Sequence, residues 1–346
     1  MKAAERRSIV ALGELPDFSV APLTVAWEIT RACPLRCVHC RADAQHRRDP
    51  GELTTEEGVD LIHQAAEMGV KVFVITGGDP LARSDAFDLV SASAATGMHT
   101  GFSPSVTPRL TAEALGRAAA AGAQSIHLSL DGAGASTHDG FRGVDGSFER
   151  TLAAMEVVAG LDARLQIGSS VSRRTVTDLP AMVPLLAGRV DLWSLFFHVP
   201  TGRGQAEDML GAQEHEDVLH WLATTDFPFM VRTTASPTFR RVLVQLGNPP
   251  GPGVNDGNGF AFVSHLGEVC PSGFLQLAAG NVRDRPLAHW YRDSELFRSL
   301  RDPDRLEGKC GRCNFKTLCG GSRARAWALT GDPLAADPTC AYDPPT

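Results

Sequence analysis

Six segments rich in apolar and β-branched residues, 24–30, 71–76, 98–102, 125–130, 164–171 and 191–197, recur along the chain with helix-patterned stretches between them. Helices are expected over 54–68, 84–96, 111–121, 147–160 and 177–187, the first opened by Thr54 and Thr55 with Glu57 as a capping pattern. Six β/α units in succession argue for an α/β fold in which a parallel sheet curls into a partial (β/α)6 TIM barrel. Its working face is then the C-terminal end of the strands, as in complete (β/α)8 barrels.

The first strand leads directly into Cys33-Pro-Leu-Arg-Cys37-Val-His-Cys40, a C-x3-C-x2-C run placed at that face. Three thiolates at this spacing can hold three irons of a [4Fe-4S] cluster and leave the fourth open to a small chelator with an amine and a carboxylate. Zinc is the other candidate, although a structural zinc site takes four ligands, usually in C-x2-C pairs. The run resembles the C-x3-C-x-(aromatic)-C loop of the radical S-adenosylmethionine (SAM) superfamily, with His39 in the aromatic position.

Further strand ends resemble the same superfamily, in the same order. Val74-Ile-Thr-Gly-Gly-Asp-Pro80 is similar to its Gly-Gly-Glu-Pro loop, which implies that Gly77, Gly78, Asp79 and Pro80 contact the methionine ammonium of SAM. A plain strand-to-helix turn is the alternative. His127-Leu-Ser-Leu-Asp131-Gly132 with His138-Asp-Gly-Phe-Arg142 implies that Ser129 and Arg142 hold the SAM carboxylate. The structural alternative there is a capping Asp131 and a surface Arg142. Phe197-His-Val-Pro-Thr-Gly-Arg-Gly204 implies Val199 beside the adenine, and Ser103 and Ser105 are candidates for the ribose. The resemblance further implies one-electron reduction by a flavodoxin or ferredoxin, cleavage of SAM to a 5′-deoxyadenosyl radical, and hydrogen abstraction from substrate. No protein acid or base is assigned.

The eight cysteines fall into two groups, three at 33–40 and five after position 269. In a chain whose start lacks a signal-peptide pattern, such grouping reads as metal ligation in the cytoplasm rather than disulfides. Cys310, Cys313, Cys319 and Cys340 could hold zinc or iron. Their surroundings resemble the SPASM/Twitch extension of radical SAM maturases, in its AdoMet-dependent heme synthase and heme d1 biosynthesis branch. Ser322, Arg323 and Arg285 stand where a second auxiliary cluster would need cysteines, so one auxiliary [4Fe-4S] cluster is expected. Cys270 then reads as a buried apolar cysteine.

The expected domains are a leader segment at 1–21, a barrel at 22–235, and a linker plus auxiliary-cluster domain at 236–346. The Gly/Pro-rich stretch 247–259 is a linker or a substrate-covering loop, followed by a short hairpin over 260–270. A net charge of −7 gives no reason to expect nucleic acid, and no apolar run approaches the roughly 20 residues of a membrane span. The implied substrate is a carboxylate-bearing small molecule, a tetrapyrrole, sugar or nucleoside intermediate undergoing decarboxylation or related radical chemistry. Arg323 and Arg325 are candidates for its carboxylate or for structure. Peptide maturation is the alternative function, and a non-catalytic metal scaffold ranks third.

Overall fold

The computed structural model describes residues 14–345, so residues 1–13 of the leader segment lie outside the described residues. Ten strands form one sheet: β1 Thr24–Glu28, β2 Val72–Thr76, β3 His99–Phe102, β4 Ser125–Ser129, β5 Arg164–Val171, β6 Leu192–Phe197, β7 Met230–Thr234, β8 Phe260–Val263, β9 Glu268–Cys270 and β10 Gly280–Asn281. Its order is β10-β9-β8-β1-β2-β3-β4-β5-β6-β7, parallel from β8 through β7 and antiparallel at β8–β9–β10. The helices are α1 Thr55–Glu67, α2 Ala86–Ala95, α3 Ala112–Ala120, α4 Ala135–Arg142, α5 Ser147–Ala159, α6 Leu179–Leu186, α7 Ala212–Thr224, α8 Thr238–Gln245, α9 Leu287–Asp293, α10 Glu295–Arg301, α11 Gly308–Gly311 and α12 Arg323–Thr330.

All six expected strands and all five expected helices form, because each carries its own periodicity. The capping box on α1 is present in both directions, Glu57 N–H donating to Thr54 Oγ1 (3.2 Å) and Thr54 N–H to Glu57 Oε2 (2.8 Å). Strand alternation divides the barrel. Val25, Trp27 and Ile29 pack outward against α1 and α2 residues such as Leu61, Ile62 and Leu89, while Trp193, Leu195 and Phe197 belong to a second outer core with Met155, Met182 and Leu219. The residues between them face the barrel lumen.

Three features depart from the six-unit expectation. β7 extends the sheet beyond β6, and β8 pairs in parallel with β1, Ala26 opposite Phe262. β1 would otherwise be an open edge, and the pairing covers it. The long Gly/Pro loop separates α8 from β8, so the strand does not follow its helix at the spacing of the earlier β/α units. The short helix α4 is the third departure. Among the described residues no helix is long and apolar enough to cross a membrane.

Candidate active site

The cysteine run is folded onto the C-terminal end of β1 by contacts from four other loops. Cys33 and Cys37 are buried in one small cluster with Leu35, flanked by Cys40, Ala44 and Val144. Cys33 N–H donates to the Gln45 carbonyl (2.7 Å) and Gln45 N–H to the Arg31 carbonyl (2.9 Å), closing the loop at its base. Gly78 N–H donates to Thr30 O (2.7 Å) and Asp79 N–H to Ala32 O (2.8 Å). A Cβ on Gly77 would lie 2.6 Å from Thr30 O, and one on Gly78 2.7 Å from both the Arg31 and Ala32 carbonyls. These two glycines therefore let the second loop press against the cysteine loop's own backbone.

The loop after β6 grips the other side. Arg203 Nε donates to Cys37 O (3.0 Å), its Nη1 to Ala44 O (3.2 Å), and its backbone N–H to Cys40 O (3.0 Å). Gly202 has φ +60°, and a Cβ there would stand 2.3 Å from Cys40 O. Sequence reasoning missed Arg203, because its partners lie some 160 positions upstream. Arg203→Ala is expected to weaken the loop by about 1–3 kcal/mol by orphaning two carbonyls. Iron loss to a chelator should be faster in the variant while the far-ultraviolet circular dichroism stays unchanged.

The thiols of Cys33 and Cys37 are buried, and the Arg142 guanidinium lies beside that of Cys37. Burial pushes the Cys33 thiol up to about 11 and raises that of Cys37, against the pull of Arg142. Arg142 Nη1 lies 3.8 Å from Cys37 Sγ, and Ala44 N–H donates to Cys40 Sγ at 3.5 Å. Among the described residues no three His, Cys, Asp or Glu side chains converge as they would on a single ion. A cubane holds its thiolates at separate corners, so such convergence is not what it requires.

The remaining candidates are placed as follows. Asp79 is fully buried; its carboxylate accepts from Leu81 N–H (3.2 Å) and Thr107 Oγ1 (2.8 Å), capping the turn Pro80–Ala82, and burial raises its pKa. Its side chain thus shapes the loop from within instead of projecting toward a ligand. Ser105 Oγ donates to the Gly78 carbonyl (2.5 Å) and receives the Cys33 thiol (3.7 Å), a cluster-side position in place of the expected ribose contact. Ser103 and Ser129 stand half-buried at the ends of β3 and β4.

Arg142 is neither a surface residue nor an open fork. Its Nε donates to Asp131 Oδ2 at 2.7 Å, and Asp131 Oδ1 accepts from Ser170 N–H at 2.7 Å. Burial alone would raise Asp131, but Arg142, His39 and His138 outweigh it and hold the carboxyl below its usual range. Val199 is buried in an apolar cluster with Leu275, Leu300 and Ala324, which joins the barrel to the C-terminal extension. His39 stacks on Phe141 with centroids 4.0 Å apart and 11° between planes. Burial drops its pKa to about 3, and its Nδ1 has no hydrogen-bond partner.

A second unexpected assembly closes the β1 end. Glu28 is buried between Arg31 (2.9 Å), Arg41 (2.9 Å) and His265 (3.2 Å). Burial opposes its charge, yet Arg41, His265 and Arg31 prevail and bring its pKa down to about 2.

Cys310, Cys313, Cys319 and Cys340 line one recess, with Gly320, Gly321 and Tyr342. Asp337 N–H points at Cys310 Sγ, Phe315 N–H at Cys313 Sγ and Gly321 N–H at Cys319 Sγ, each at 3.4 Å. Backbone N–H···S bonds of this kind tune the potential of iron–sulfur clusters. Burial pushes the Cys319 thiol up to about 12 and also raises Cys340. Ser322 is a buried cap of α12 whose Oγ accepts from Arg325 N–H (3.3 Å). Arg323 and Arg325 are each 1% exposed. Arg323 binds the Pro333 and Ala335 carbonyls (2.9 and 2.7 Å), and Arg325 grips both oxygens of Asp337 (3.1 and 3.0 Å). Both are structural, which corrects the substrate-carboxylate alternative. Cys270 lies buried beside Ala26 and Phe262, its pKa pushed up to about 12 by burial.

The profile of the radical SAM superfamily matches residues 27–165. The chain is 38% identical over 342 residues to the AdoMet-dependent heme synthase of Methanosarcina barkeri (strain Fusaro), covering 94% of this chain and 97% of that protein. The chain belongs to the radical SAM superfamily. It is also 33% identical to the mycofactocin maturase MftC of Mycobacterium tuberculosis (92% of this chain, 83% of that one) and 29% identical to the pre-heme d1 synthase of Dinoroseobacter shibae (91% and 85%). In fold it is similar to Streptococcus suis SuiB bound to S-adenosylmethionine, with a TM-score of 0.73 at 16% identity over 93% of this chain and 78% of that one. This radical SAM protein is an enzyme of a family that uses a [4Fe-4S] cluster and SAM.

Proposed function

We propose that this radical SAM enzyme acts on a carboxylate-bearing tetrapyrrole, removing a side-chain carboxyl as carbon dioxide in a heme-forming reaction. The observation that carries this reading is the 38% identity to a heme synthase along 94% of the chain. In it, Cys33, Cys37 and Cys40 hold the SAM-binding cluster, and Cys310, Cys313, Cys319 and Cys340 hold one auxiliary [4Fe-4S] cluster. When bound, the cluster and SAM would supply a 5′-deoxyadenosyl radical that takes one hydrogen from the substrate's side chain; cleavage of its C–COO bond as CO2 then leaves one electron, for which the auxiliary cluster would be the acceptor.

This chain's own residues do the positioning. Gly77 to Pro80 form a rim whose backbone faces the methionine ammonium, with Asp79 and Ser105 holding its shape from below. His39, neutral and stacked on Phe141, offers its unpartnered Nδ1 to a polar edge of the nucleoside. Ser103, Ser129 and Val199 border the same ligand. Arg142 spends Nε and Nη2 on Asp131 and turns Nη1 to Cys37, so it steadies the cluster loop, and the SAM carboxylate would have to share Nη1 with the Cys37 sulfur. Residues 22–235 carry this chemistry, 236–346 the auxiliary site, and a flavodoxin or ferredoxin delivers the electron. Peptide maturation stands second, favoured by the 33% identity to MftC.

Anaerobically reconstituted protein is expected to contain about eight irons per chain. With SAM, dithionite and iron coproporphyrin III it should form 5′-deoxyadenosine together with products lighter by successive losses of CO2 and two hydrogens. About four irons with one zinc would move the C-terminal site to zinc. Turnover of a peptide with no mass change in the porphyrin would transfer the assignment to the second reading.

A further inference from the structure

Among the described residues, Arg232 is a cation of the barrel lumen that no counter-charge matches. On β7, Val231 packs with the outer core that holds Trp193 and Leu195. Alternation therefore turns Met230, Arg232 and Thr234 inward. Arg232 lies opposite Ser194 of β6 in the strand register, about 7 Å below the strand end at 3.3 Å per residue. β7 is the free edge of the sheet, so this side of the lumen is bounded by the C-terminal extension. Phe196 of β6 meets Phe274 of that extension with centroids 6.4 Å apart, and Ala235, just past β7, packs in the apolar cluster that contains Leu275.

Two other charged groups described in this interior are matched. Glu28 is held by Arg31, Arg41 and His265, and Asp131 by Arg142. Arg232 makes no ion pair or hydrogen bond with any described residue, although protein surrounds it closely enough for burial to lower its pKa, and it remains exposed to the lumen space. Its charge reaches His127 at the middle of β4, which burial and Arg232 together keep neutral, with a pKa down to about 3. His127 Nε2 is itself engaged by Ser125 Oγ at 3.0 Å. A guanidinium that lines a protein-walled space without a counter-charge presents its planar fork to a carboxylate.

We infer that Arg232 is the residue that binds a carboxylate of the substrate inside the lumen, which His127 also faces, so that the reacting carbon is presented upward to the SAM end of the barrel. This rests on the proposed reading that the substrate bears carboxylates, and it names the residue that would select for them. Arg323 and Arg325, the arginines that stand out in the sequence, are consumed by Asp337 and backbone carbonyls and are unavailable for this role.

The test compares holoenzyme binding of coproporphyrin III with that of its tetramethyl ester, followed by porphyrin fluorescence. Wild type should bind the free acid about 10- to 100-fold more tightly than the ester, the range expected for one charge-assisted pair. Arg232→Met should bind both forms with the ester's affinity, and Arg232→Lys should restore part of the preference. An Arg232→Met protein of native iron content that still prefers the acid overturns the inference. A second measurement covers a variant that fails to fold and a wild type that binds neither porphyrin. Phenylglyoxal labelling of the wild-type holoenzyme, mapped by peptide mass, should modify Arg232 and be suppressed by butyrate. Suppression without porphyrin binding retains the carboxylate site and discards the tetrapyrrole; labelling unaffected by butyrate discards the site itself.

Discussion

Cys37→Ala protein, reconstituted under the conditions that load the wild type, is expected to form no measurable 5′-deoxyadenosine and to hold about half the wild-type iron. Cys37 is the middle residue of the three-thiol loop, 6% exposed, with the Arg142 guanidinium 3.8 Å from its sulfur and Arg203 on its carbonyl. Two remaining thiolates cannot hold a cubane that has only three protein ligands to begin with, so the loss is of the whole SAM-binding centre. Activity should fall by at least ~10³-fold, since cofactor chemistry leaves no protein acid or base to sustain a residual rate. The four C-terminal cysteines are remote from the change and should retain their iron. Equal iron in variant and wild type would remove Cys37 from the ligand set.

The largest effect on stability is expected from Asp337→Asn. Asp337 accepts from Ser322 N–H (2.8 Å), Thr339 N–H (3.1 Å), Thr339 Oγ1 (3.0 Å) and two nitrogens of Arg325 (3.1 and 3.0 Å). Removing one partner of a fully buried pair leaves an uncompensated charge and costs about 3–5 kcal/mol. Burial works against the Asp337 carboxylate, but Arg325 and the Ser322 N–H hold its pKa well below the usual range. A depressed acid contributes its full stability above the unfolded value of about 4 and loses it as pH falls through the folded value. Denaturant midpoints of wild type and variant should therefore differ fully at neutral pH and approach each other below about pH 4. Because Asp337 N–H also faces Cys310 Sγ, iron at the C-terminal site should be lost before the barrel unfolds.

The order of strands and helices was legible because each element declares itself locally. The 54–68 pattern carried both its apolar period and its capping box, and 164–171 carried Leu165, Ile167 and Val171 at alternating positions. The three-thiol loop was legible for the same reason, since Cys33, Cys37 and Cys40 are close in sequence. Local spacing also picked out Arg142, Arg323 and Arg325 as notable, yet it could not assign their partners. Asp131, Asp337 and the 333–335 carbonyls reach them only once loops have packed. Glu28 and Arg203 carried no local signal whatever.

The sequence by itself determined an α/β barrel, the strand end at which the cysteines sit, and the chemistry those cysteines can support. All three depend on periodicity or on spacing within a few residues. Only the tertiary structure decided that β8 would close the β1 edge, that Asp79 and Ser105 would brace the cluster loop, and that Arg232, unremarkable in the sequence, would face the lumen without a counter-charge. Pairing and desolvation are properties of distances across the folded core, and segments more than a hundred positions apart meet there without any trace in their own composition.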